Sequence, residues 1–64
     1  MTDLVTLRIG SVLLPRWQSD EVFRRRVLVH AAHGHPHGTI VQVIGHGTLE
    51  HYRHGKSGLR KIAG

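Results

Sequence analysis

The sequence predicts an all-β protein: one small domain over residues 1–64, with about five short antiparallel strands curled into a partly open barrel. Three observations predict it. Turn signals recur at short intervals: Gly10-Ser11, Pro15, Ser19-Asp20, Gly34 to Gly38, Gly45-His46-Gly47 and His54-Gly55-Lys56-Ser57-Gly58. The runs between them are rich in Val, Ile and Thr, which suit a pleated surface. The two clearest runs, Arg24 to His30 and Thr39 to Ile44, flank a loop of glycine, proline and histidine, Ala31 to Gly38.

Taken in order, Leu4 to Ile9 reads as a first strand or extended arm. Val12 to Trp17 reads as extended and irregular, bent at Pro15. Ser19 to Val22 is a turn, or one helical turn capped by Ser19 or Asp20. Phe23 to His30 reads as a strand, with Val27 and Val29 on one face and Arg26 and Leu28 on the other. Asp20 to Leu28 has a competing helical reading, because Val22, Phe23, Arg26 and Val27 have compatible spacing. The β-branched content favours the strand. Thr39 to Ile44, Thr48 to Arg53 and Leu59 to Ala63 complete the strands. The tight Gly45-His46-Gly47 link makes a hairpin of the first two of these.

Size and charge narrow the function. A chain of 64 residues buries only about 60% of the surface its unfolded form exposes, so its core is thin and a partner or a homodimer interface would help it. Disulfides are excluded because the chain has no cysteine. Nine Lys and Arg oppose four acids, Asp3, Asp20, Glu21 and Glu50, for a net charge of +5 before any of seven histidines is protonated. A field of that sign attracts nucleic acid or another acidic surface. Leu4 to Leu14 is apolar but broken by Arg8 and too short to span a bilayer, and Asp3 stands where a signal peptide is basic. The reading is a cytoplasmic protein with no membrane partner.

Gly10-Ser11-Val12, an irregular stretch and then hairpin-like strands resemble the layout of an SH3-like small barrel. Val27-Leu28-Val29, the Gly34 to Gly38 loop and Gly38-Thr39-Ile40-Val41 resemble the KOW element of transcription and ribosomal proteins. There, His33, His35 and His37 stand in place of the usual basic loop residues. The chain is also similar to small Arg-rich proteins of actinobacteria and their phages. These resemblances imply a binding module for nucleic acid or protein and no enzyme.

The residues themselves point the same way. Arg24, Arg25 and Arg26 form the strongest charge feature, and the planar guanidinium suits phosphate. On a strand they point to opposite sides; charge that keeps an edge strand soluble explains them equally well. Gly55-Lys56-Ser57-Gly58, with Arg53, Arg60 and Lys61, is a second basic cluster. Its Gly-Lys-Ser is not a nucleotide-binding loop, because Glu50 stands where that loop needs glycine. Trp17, beside Arg16, stacks on a base or anchors the core; Phe23 belongs in the core, and Tyr52 is divided between core and surface. His33, His35 and His37 alternate and are the only metal-ligand candidates, although Pro36 and the glycines around them fit a polar surface loop better. No nucleophile or paired-carboxylate site is present, and no cofactor is expected.

The function expected is a small basic binding module. It contacts nucleic acid, or a nucleic-acid-handling complex such as a polymerase or ribosome. The contacts are Arg24, Arg25, Arg26, Arg53, Lys56, Arg60 and Lys61, with stacking by Trp17. The alternative is a phage or mobile-element protein that docks on a host protein through a strand edge and Trp17, and the third reading is a histidine-dependent metal protein.

Overall fold

The structure, a computed structural model, describes residues 3–64. A strand, β1 (Leu4–Arg8), is followed by two helices, α1 (Leu14–Ser19) and α2 (Glu21–Ala32). Three strands complete the chain: β2 (Ile40–Gly45), β3 (Thr48–Gly55) and β4 (Gly58–Ala63). The strands form one sheet in the order β1-β2-β3-β4, with β1 parallel to β2 and the other neighbours antiparallel. A parallel pair needs a crossover connection, and the two helices supply it. Among the described residues β1 and β4 have one neighbour each, so the sheet does not close. The protein is mostly sheet, as expected, but a four-stranded mixed sheet with two helices replaces the barrel of about five antiparallel strands.

The largest correction is α2, which occupies the run Phe23 to His30 expected as a strand. Its start is fixed locally: the Asp20 carboxylate accepts from the Phe23 backbone N–H at 3.0 Å and caps the helix. Phe23, Val27, Leu28, Ala31 and Ala32 then fall on the side packed into the core, while Val22 and Val29 remain exposed. Burial of that stripe outweighs the weak preference of valine for strands. The competing helical reading of Asp20 to Leu28 is therefore the correct one, extended to Ala32. The second correction is α1 in place of an extended Val12 to Trp17. Pro15 sits in its first turn, where a fixed φ and a missing N–H cost nothing.

The remaining strands and hairpins follow the sequence closely. β2 and β3 join through His46-Gly47, with Gly47 at φ 72°, a left-handed value that glycine adopts without strain. β3 and β4 join through Lys56-Ser57, with a bulge at His51/Tyr52. The core lies between the helices and one sheet face. Val5 pairs with Val41 and Leu7 with Val43 across β1 and β2, and Val41 and Val43 are fully buried. Trp17 is 1% exposed and meets Tyr52 edge-on, with ring centroids 6.4 Å apart. Among the described residues no helix is long and apolar enough to cross a membrane.

Candidate functional site

The helices cover one face of the sheet and leave the other open. Strand alternation puts Leu4, Thr6 and Arg8 of β1, Ile40, Gln42 and Ile44 of β2, Leu49, His51 and Arg53 of β3, and Arg60 and Ile62 of β4 on that open face. The register aligns Leu4, Ile40, Arg53 and Arg60 in one row across all four strands. Arg8 sits two rows away, level with Ile44 and Leu49. Leu4, Leu49 and Ile62 are each more than half exposed. No carboxylate lies on these positions, and among the described residues Arg8, Arg53 and Arg60 form no ion pair. Arg53 and Arg60 are direct cross-strand partners, an arrangement in which like charges repel. Beside them Gly55, Ser57 and Gly58 of the hairpin turn help line a shallow hollow of about 270 Å³, and exposed Lys56 stands in the same turn.

The other predicted contacts lie elsewhere. Arg24, Arg25 and Arg26 are on α2, in the layer that covers the opposite sheet face. Arg24 is half-buried and donates to the carbonyls of Trp17 (2.7 Å) and Gln18 (3.4 Å), bracing the end of α1 against α2. Arg25 pairs with Glu21 one turn earlier at 3.3 Å. Arg26 is exposed and unpaired among the described residues. Lys61 faces inward and contacts Glu50 at 3.1 Å. The expected basic surface is thus divided: Arg53, Arg60 and Lys56 lie at the open face and its hairpin tip, and Arg24, Arg25, Arg26 and Lys61 do not. Trp17 is a core residue with no ring face available for stacking on a base.

Sequence reasoning missed two things. Arg8 joins the open face; its alternation with Leu4 and Thr6 was readable, but its neighbours across the sheet were not. The second is the polar cluster that closes the cleft of about 410 Å³ between the helices and β3–β4. There Glu50 Oε1 accepts from the Trp17 indole N–H (2.9 Å) and the Tyr52 hydroxyl (3.3 Å). Burial raises the Glu50 pKa, but the donors Trp17, Lys61 and Tyr52 outweigh it, and the carboxyl is held below its usual range. Burial and the Glu50 charge push the Tyr52 phenol up. The cluster is a satisfied polar plug that anchors Trp17, and the open face is the better site.

The histidine loop does not gather into a metal centre. It folds into turns instead of extending: His33 and His35 donate from their backbone N–H groups to the carbonyls of His30 and Ala32, and Thr39 donates to Pro36. His35 approaches Asp3 at 3.9 Å, and His37 packs edge-on against His54 with centroids 5.1 Å apart. Among the described residues no group of three metal-ligating side chains comes together, so His33, His35 and His37 are surface-loop residues. No protein-family model matches the chain, and no curated protein or solved structure compared with it does either.

Proposed function

We propose that the chain is a small basic binding module that contacts nucleic acid, free or within a nucleic-acid-handling complex, through the open face of its sheet. The observation that carries this reading is the placement of Arg8, Arg53 and Arg60 on one uncovered face that holds no carboxylate, with Arg53 and Arg60 opposed across β3 and β4. Two opposed guanidinium groups cost stability in the free protein. A phosphate between them turns that repulsion into two charge-assisted contacts. The hollow beside the Lys56 turn gives such a phosphate a seat, with Ser57 as a further donor.

The aliphatic residues of the face complete the picture. Leu4, Ile40, Ile44, Leu49 and Ile62 offer apolar surface between the arginines, which suits bases that are not stacked in a duplex. A broad four-stranded face also does not enter a major groove, which admits a helix or a two-stranded ribbon. The mechanism is phosphate neutralisation by arginine with apolar contact to bases. Titration of labelled single-stranded DNA and RNA at several salt concentrations tests it. Engagement of three or four phosphates gives a slope of log K against log salt of roughly −2 to −3. Absence of binding at low salt, or binding indifferent to salt, contradicts the proposal.

A further inference from the structure

A second surface lies on the other side of β1. Among the described residues the strand has one neighbour, β2, and its far edge has no strand paired to it. The Ile40 N–H donates to the Asp3 carbonyl and the Ile9 N–H to the Ile44 carbonyl. In a parallel ladder this phase turns the backbone groups of Leu4, Thr6 and Arg8 away from β2, toward the open edge. Beside that edge runs a shallow apolar groove of about 460 Å³ between β1 and α2, lined by Leu7, Phe23, Val27 and Ala31, with Arg26 and His30 on its rim. Arg26 and His30 follow one another one helical turn apart, both are exposed, and Arg26 gives that rim a positive charge.

We propose that this edge and groove take an extended peptide of acidic character as a fifth strand. Backbone hydrogen bonds to Leu4, Thr6 and Arg8 would hold its main chain. Alternate side chains of an added strand point toward the helical layer, so aliphatic residues at those positions enter the groove. Carboxylates near the groove meet Arg26, and that charge complementarity, with the net charge of +5, favours an acidic partner over a second copy of this basic chain. The site uses the backbone edge of β1 and the helical side of the sheet, whereas the nucleic-acid reading uses side chains on the open face, so the two are tested separately.

The test starts with selection of a displayed library of random ten-residue peptides against the full chain. The expected consensus carries aliphatic residues at alternate positions, with Asp or Glu at an end of that same alternate series, where the groove meets Arg26. A selected peptide, made synthetically, is then N-methylated at every second residue in each of the two frames. One frame should weaken binding by at least about tenfold, because it removes the donors facing β1, and the other should leave it nearly unchanged. Arg26→Glu should weaken the unmodified peptide by a similar factor, and Val27→Glu should block the groove. Arg53→Glu with Arg60→Glu should have no effect on it. The proposal is overturned by a library that yields no enriched peptide, by a consensus without acids, by equal tolerance of both methylation frames, or by a β1-mediated dimer that occupies the edge. Because the methylation series leaves the protein untouched, misfolding of a variant cannot mimic the result.

Discussion

At the scale of single residues, Glu50 shows how a carboxylate settles the inside of a thin domain. Its side chain is 17% exposed and takes hydrogen bonds from Trp17 and Tyr52 and the charge of Lys61. A buried indole N–H left without a partner is costly, so Glu50 is what allows Trp17 to be the central core residue. The chain has one tyrosine, which makes the cluster readable in solution. The Tyr52 phenol should titrate above 10 when followed by ultraviolet absorbance. Glu50→Gln should bring it back toward that value, because the charge opposing the phenolate is gone. The sign for stability follows: the folded state favours the neutral phenol, so its contribution is complete below about pH 10 and is lost as pH rises through the raised value. A Tyr52 titration unmoved by Glu50→Gln would contradict the geometry. Arg24 illustrates the opposite lesson about charge. It belongs to the most conspicuous run in the sequence, yet its guanidinium serves two carbonyls at the end of α1.

At the scale of elements, α2 decides the fold. Val29 lies in its interior and is 55% exposed, so Val29→Ala should raise stability by roughly 0.5 kcal/mol through helix propensity alone. In a strand the same change would lower it, so denaturant unfolding separates the two structures. The run was hard to read because Val27, Leu28 and Val29 satisfy alternation and helical spacing at once, and only packing against Leu7 and the sheet chooses between them. Asp20 was legible as a cap, and Pro15 was a helix-start signal misread as a bend. β2, β3 and β4 were legible because glycine turns bound them and Val41 and Val43 alternate cleanly. The parallel pairing of β1 with β2 was not legible, since nothing local in Leu4 to Arg8 specifies a neighbour more than thirty residues away. Between β3 and β4 the arginine pair carries its own prediction. Arg60→Thr should stabilise the free protein by about 0.2–1 kcal/mol and weaken nucleic-acid binding, a trade in which a purely structural arginine would not take part.

At the scale of the whole molecule, two acids lie in the helical layer, a third faces it from β3, and the open sheet face has none. Asp20 and Glu21 start α2, Glu50 is turned inward, and Asp3 stands just before β1. This segregation gives a chain of net charge +5 a direction, which the sequence could not supply because a basic composition does not say where the charges meet. Arg53 and Arg60 were found as candidates from the Lys56 turn, Arg8 only from the register, and the Arg24 to Arg26 run turned out to belong to the other layer. The most direct measurement compares two double variants, Arg53→Glu with Arg60→Glu and Arg25→Glu with Arg26→Glu, in salt titrations of a labelled single strand. Both change the net charge equally, so a difference between them reports location and not total charge. The sheet-face pair should lower affinity by roughly ten- to a hundredfold at low salt and flatten the salt slope, while the helix pair should stay within about threefold of the parent. Equal losses from the two pairs, or a larger loss from the helix pair, would contradict an interface on the open face.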